Sequence, residues 1–228
     1  MEQKNEIREN VARIRETMAE AARSCGRDPQ EIKLCAATKM NDAARVKEAV
    51  AAGVDCCGEN RVQELVEKQP QGAYEGVPVH FIGHLQTNKV KALLSMKDIA
   101  LIQSVDSVKL ATEIDKYSEK LGRTTEILLQ VNIGDEEQKF GVEPADTVAL
   151  VRDVSDFEHI KVKGLMATMP IEKDIRYYKE FKELFEKVKA CNISGVDMDI
   201  LSMGMSNDFE EAVECGSNMV RIGTALFK

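Results

Sequence analysis

No apolar run in this sequence approaches the roughly 18 residues that a membrane span needs. Its start, Met1-Glu2-Gln3-Lys4-Asn5, lacks the pattern of a secretory leader, so a cytoplasmic protein is expected. Basic residues are outnumbered, 31 Lys and Arg against 39 Asp and Glu. The resulting charge of −8 and a pI of about 5.1 argue against a sequence-blind nucleic-acid binder. Six cysteines (Cys25, Cys35, Cys56, Cys57, Cys191, Cys215) show no CxxC spacing, and His80, His84 and His159 form neither an HExxH nor a cluster. Reduced, mostly buried thiols are expected, and no metal site. No linker, low-complexity tract or charge block marks a second domain, so residues 1–228 are expected to form one.

What is present is alternation. Ile7, Val11, Ile14, Met18 and Ala21 recur at helical spacing over residues 4–24, an amphipathic helix ahead of the first strand. Strand-like pieces follow at 32–38, 54–57, 79–82, 100–104, 125–132, 161–167, 197–202 and 219–222. Helical stretches at 42–52, 60–69, 86–97, 107–121, 145–154, 172–190 and 206–214 separate them, with a last turn after Gly223. Eight strand–helix units predict a closed (β/α)₈ TIM barrel with an additional N-terminal helix. The alternative is a doubly wound open sheet, but that needs fewer strands, and no GxGxxG follows the first one.

The first strand, 32–38, reads as buried on both faces and is followed by Lys39, with Asn41-Asp42 placed to cap the next helix. A lysine at the carboxyl end of a barrel strand stands where such folds place their chemistry, and a free amine there can form a Schiff base. The plainer reading is a lysine that snorkels into water. Ser202-Met203-Gly204-Met205-Ser206-Asn207-Asp208 follows the seventh strand, and Arg221-Ile222-Gly223-Thr224 closes the eighth. Glycine admits an anion to the backbone, hydroxyls donate, and barrels build phosphate sites from these two loops. A phosphate handle and a strand-end lysine suit pyridoxal 5′-phosphate, with Arg221 adjacent to the first strand and able to face a ring nitrogen. A structural ion pair is the other reading of Arg221. Asn60 reads either as the N-cap of a capping box with Gln63 or as a cofactor contact. His84 reads either as a residue of the barrel mouth or as a satisfied histidine near a helix start.

Taken together, Thr38-Lys39, GENRVQE, HFIGHLQTNK, GLMATMP and SMGMSNDFEEAVECGSNMVRIGT resemble the pyridoxal-phosphate homeostasis proteins over nearly the whole chain. That family is similar to the barrel half of alanine racemase and the fold-type III decarboxylases. The resemblance implies that Lys39 carries the cofactor as an internal aldimine. Ser206, Gly223 and Thr224 would hold the phosphate, Arg221 would face the ring nitrogen, and Asn60 and Ser202 would line the pocket. Met40-Asn41-Asp42 departs from the family's usual loop after the lysine.

Alanine racemase draws a second acid–base tyrosine from another domain, and this chain ends directly after its eighth strand. None of Tyr74, Tyr117, Tyr177 and Tyr178 is an evident replacement. The expected protein is therefore a non-catalytic carrier that binds, buffers or delivers the cofactor, with apo-enzymes that use it as recipients. The alternatives are an amino-acid racemase or decarboxylase of fold type III, and a sugar-phosphate barrel enzyme without this cofactor.

Overall fold

The computed structural model describes residues 2–96, 98–134, 140–170, 172 and 174–228. Its strands are β1 (Lys33–Ala37), β2 (Cys56–Glu59), β3 (Val79–Phe81), β4 (Ile99–Val105), β5 (Thr125–Val131), β6 (Ile160–Ala167), β7 (Val196–Ser202) and β8 (Met219–Ile222). They close into a barrel in sequential order. The helices are α1 (Glu2–Ser24), α2 (Ala43–Ala51), α3 (Val62–Lys68), α4 (Val90–Leu94), α5 (Val108–Lys120), α6 (Thr147–Ser155), α7 (Ile175–Ala190), α8 (Phe209–Glu214) and α9 (Thr224–Phe227). The expected barrel and N-terminal helix are both present. Boundaries differ mainly at the ends, where a flanking residue shares the apolar pattern but not the ladder.

Two compact units make up the chain, Met1–His80 with Met203–Lys228, and Phe81–Ser202. In the first, β1 pairs in parallel with β2 and with β8, so that Cys35 lies opposite Cys56 on one side and Arg221 on the other. The stripe Ile7, Val11, Ile14, Met18 and Ala21 is buried along α1, as its spacing requires. That face packs against α8, α9 and α2. The buried Asn10 side chain donates to the carbonyls of Leu226 (3.1 Å) and Lys228 (3.0 Å), tying α1 to the chain end. Asp42 caps α2 through the Arg45 amide, as the sequence suggested.

In the second unit β4, β5, β6 and β7 form parallel ladders in sequence. Leu101, Leu128 and Met166 cluster between the strands, with Ile200 against them. Ser118 and Thr125 satisfy each other's buried hydroxyls at 2.7 Å. No described helix is long and apolar enough to cross a membrane.

Candidate cofactor site

Lys39 lies two residues beyond β1 in a turn closed by the Asn41 amide on the Thr38 carbonyl at 3.2 Å. Its side chain is exposed, so the amine meets solvent rather than a dry pocket. Met40, the third residue of the turn, has φ 62, the left-handed value that a type II turn demands there. A non-glycine residue in that region costs about 1–2 kcal/mol. What holds the turn is a buried polar network beneath it.

Glu59, at the end of β2, is fully buried. Its Oε1 accepts from Thr38 Oγ1 (2.6 Å), Lys68 Nζ (2.7 Å) and Tyr74 Oη (2.9 Å). Lys68 also donates to the Thr38 carbonyl (3.0 Å) and to Glu64 Oε2 (2.7 Å), and Glu64 accepts the Met40 amide (2.9 Å). The Thr38 carbonyl and the Met40 amide are thereby both tied to the buried Lys68 and its two carboxylate partners. Burial works against ionisation of Glu64, but Lys68 and the Met40 amide hold its carboxyl below the usual range. Burial, then the Glu59 charge, pushes the Tyr74 hydroxyl well up. The sequence reading missed this network. Its signals were an acid inside the apolar run Cys56-Cys57-Gly58-Glu59 and a lysine on the apolar stripe Val62, Leu65, Lys68.

Asn60 follows Glu59, and here the capping-box reading fails. The N-cap of α3 is Arg61, without a side-chain bond, because the helix starts one residue later than the pattern suggested. The buried Oδ1 of Asn60 has no hydrogen-bond partner, nor does Oε2 of Glu59.

On the other side of β1, Arg221 is buried, and burial lowers its pKa to about 10, so it remains a cation at neutral pH. Its amide donates to the Gly204 carbonyl at 2.9 Å. Gly204 has φ 97, and a Cβ there would meet Ala212 Cβ at 2.6 Å. The loop continues to Ser206, whose Oγ accepts the Ala225 amide (3.1 Å), while Asp208 accepts the Met205 amide (2.7 Å). Gly223 backs onto β1: a Cβ on it would lie 3.2 Å from the Ala37 carbonyl oxygen. Thr224 opens α9 and is exposed. The first amides of any helical turn have no partner within the turn.

The structure thus brings Lys39, Asn60, Ser206, Arg221, Gly223 and Thr224 into one unit. Ser202 belongs to the other, where it ends β7 and donates to Gln103 Oε1 at 2.7 Å. His84 also lies there, stacked on Phe140 (centroids 3.6 Å apart) and 3.8 Å from Asp106. Only Cys35, Cys56 and Cys57 of the six thiols are buried, since Cys25 is exposed and Cys191 and Cys215 are intermediate. Strand pairing also gathers Cys35, Cys56 and His80 into a cluster that linear spacing hid. The Cys35 thiol is pulled below its usual range by its hydrogen bond with Cys56, with His80 and Arg221 assisting, against burial.

A parallel eight-stranded barrel with an amine beyond β1, a buried cation on β8, a glycine–serine loop after β7 and a glycine–threonine turn after β8 falls in the class of barrels that build their sites at the carboxyl ends of the strands. Within that class, the chain belongs to the family of the alanine racemase N-terminal domain, which it matches over residues 3–228. It is 39% identical over 223 residues to the pyridoxal phosphate homeostasis protein of Aquifex aeolicus, covering 96% of each chain. Among solved structures, an unknown protein from Bifidobacterium adolescentis superposes with a TM-score of 0.93 at 33% identity, over 99% of this chain and 96% of that one. PipY of Synechococcus elongatus, in its structure with PLP bound, gives 0.82 at 30% identity, over 97% of this chain and all of that one (100%).

Proposed function

We propose that this chain, as one domain, binds pyridoxal 5′-phosphate and holds, buffers or delivers it to apo-enzymes, without substantial catalysis of its own. The observation that carries the reading is the convergence on β1: Gly223 packs on Ala37, two residues before Lys39, while Ser206 reaches the Ala225 amide. Lysine, hydroxyl and helix-start amides are thereby supplied from three distant segments. The residues fit the group, because Asn60 keeps a buried oxygen without a partner beside Glu59.

The cofactor supplies an aldehyde open to covalent attachment and an electron-withdrawing ring. Lys39 provides the amine, exposed on a turn whose backbone Lys68 and Glu64 fix. Ser206, Gly223 and Thr224 bind and orient the phosphate. Arg221 holds a positive charge and has no proton-accepting atom, so a ring nitrogen beside it stays unprotonated and the ring withdraws electrons weakly.

Two features support a carrier over a racemase or decarboxylase. The relatives are named homeostasis proteins. Tyr74, the tyrosine of the unit that contains Lys39, commits its hydroxyl to Glu59 and is held protonated by burial. No tyrosine of that unit is thus left as a second acid–base group, whose loss typically removes about 10²–10⁴-fold in rate.

Borohydride treatment of the loaded protein followed by peptide mass mapping tests the site, with the adduct expected on Lys39. An adduct confined to another lysine overturns the assignment. Deuterium wash-in at the α-carbon of alanine tests the carrier reading. Lys39-dependent exchange with racemisation at about 1 s⁻¹ or faster, an ordinary enzymatic rate, would establish an enzyme instead.

A further inference from the structure

Cys35 on β1, Cys56 opposite it on β2 and His80 on β3 converge in the interior. Their Sγ, Sγ and ring-nitrogen atoms all lie within 4.8 Å of one another, and all three residues are buried. Cys56 Sγ and His80 Nδ1 are 3.6 Å apart. With zinc's bond lengths as a scale, about 2.3 Å to sulfur and about 2.0–2.1 Å to nitrogen, a trigonal centre sets sulfur and nitrogen roughly 3.8 Å apart and two sulfurs roughly 4.0 Å apart. The Cys56–His80 pair already has nearly that spacing, and Cys35 lies within 4.8 Å of both, on adjacent barrel strands. We propose that Cys35, Cys56 and His80 form a three-ligand site for a soft, thiophilic monovalent cation of the Cu⁺ class.

The choice of cation follows from ligand number and softness. Structural zinc is almost always four-coordinate, and the group found among the described residues offers three ligands, two of them thiols. Soft thiolate ligands favour Cu⁺, zinc and iron–sulfur clusters, and of these only Cu⁺ is suited to a site of three ligands. Charge also matters in a dry interior, where a net charge is costly to bury. Binding Cu⁺ releases two thiol protons to solvent and moves no electron. The cation cancels one thiolate charge, and Arg221, in register with Cys35 on β8, lies beside the other. The alternative is three small side chains that simply bond one another. The two readings differ in what the reduced protein retains. None of the three ligands is a residue assigned to the cofactor, and Arg221 is shared only as a nearby charge, so copper retention measured without pyridoxal phosphate is read independently of the cofactor site.

The test uses the full chain with Cys25, Cys191 and Cys215 replaced by serine, reduced, with and without pyridoxal phosphate. Cu⁺ is supplied in competition with bathocuproine disulfonate. One copper per chain should be retained, and its X-ray absorption should show two sulfurs and one nitrogen. Cys35→Ser or Cys56→Ser should weaken retention at least tenfold, His80→Gln should remove the nitrogen, and Cys57→Ala should change neither. Failure of the folded chain to hold copper against the competitor overturns the proposal. So does a copper shell without two sulfurs and a nitrogen, a reading on the unsubstituted ligands that does not depend on any variant folding.

Discussion

In the unit formed by Met1–His80 and Met203–Lys228, charge is carried into the interior, with Lys68 and Glu59 paired at 2.7 Å and their side chains 5% and 0% exposed. In the unit formed by Phe81–Ser202, the pairs Lys161–Asp197, Lys163–Asp199 and Lys182–Glu186 each keep at least one partner well in water. Exposed pairs of that kind contribute little. A buried pair is no better as a stabiliser, since desolvation offsets most of its attraction. Its presence under Lys39 is better explained by geometry: it fixes the backbone of a strained turn. The unit with the long β4–β7 ladders keeps these paired charges near water, and the other holds a pair inside at some expense of stability.

The largest way to break this contrast is to remove one buried partner. Lys68→Met leaves Glu59 charged and uncompensated, and should cost about 3–5 kcal/mol in urea unfolding. Lys163→Met, which removes a pair at the water's edge, should leave the midpoint near wild type. Adding Glu59→Gln to Lys68→Met should recover part of the loss, because no buried charge then lacks its partner. Equal effects from Lys68→Met and Lys163→Met would erase the distinction between the units.

Next in size is the effect on cofactor binding. Ser206→Ala should weaken pyridoxal phosphate by about 1–3 kcal/mol, the range for a hydrogen bond to a charged group. Gly223→Val should cost more, since its Cβ would lie 3.2 Å from the Ala37 carbonyl and separate β8 from the Lys39 strand. Ser155→Ala, at an exposed hydroxyl of the other unit, should change nothing. Fluorescence titration reads all three, and the reverse order of Ser206 and Gly223 would remove the phosphate cradle from this place.

Much of the architecture was legible in the sequence, because apolar strands and amphipathic helices announce themselves by period. Lys39, the Asp42 cap and the two terminal loops were legible too, as residue types at strand ends. What stayed hidden depended on register across strands. Nothing in the spacing of Cys35, Cys56 and His80 says that three strands bring them together. Lys68 and Glu59 are nine positions apart, and their pairing needs α3 folded back on β2. Asn60 misled for a local reason: its type suits an N-cap, yet the chain stays extended through Arg61.

A smaller effect separates the units by pH. Tyr74 is raised in the folded state, so its contribution is fully present below the unfolded value of about 10 and is lost as pH rises beyond it. Glu64 is lowered, so its contribution is present above the unfolded value of about 4.3 and is lost as pH falls through its folded value. Stability should therefore decline at both ends. At pH 11, the Tyr74 part should amount to about 1.4 kcal/mol for a single group one unit past its unfolded pKa. Tyr74→Phe should flatten the alkaline limb alone. An unchanged limb in that variant would place its origin elsewhere.

The smallest and most local test exchanges two residues that share a backbone conformation. Met40 in the Lys39 turn has φ 62, and Asn192, just after α7 in the other unit, has φ 50. Asparagine enters this region far more readily than an unbranched apolar residue. The turn after α7 thus uses the residue suited to it and the Lys39 turn does not. Met40 is 90% exposed, so replacing its side chain forfeits almost no packing. Met40→Asn should therefore stabilise by about 0.5 kcal/mol, a fraction of the roughly 1–2 kcal/mol strain. Asn192→Met should destabilise by a similar amount. The Met40 amide keeps its bond to Glu64 in either case, so Lys39 should hold its place and cofactor affinity should not move. Urea unfolding and a binding titration on the same variants separate the possibilities. If Met40→Asn destabilises the chain, the turn is held by more than the bonds from Glu64 and Lys68, and the strain assigned to it is wrong. If it stabilises the chain but weakens cofactor binding, the left-handed residue is itself part of how Lys39 is presented.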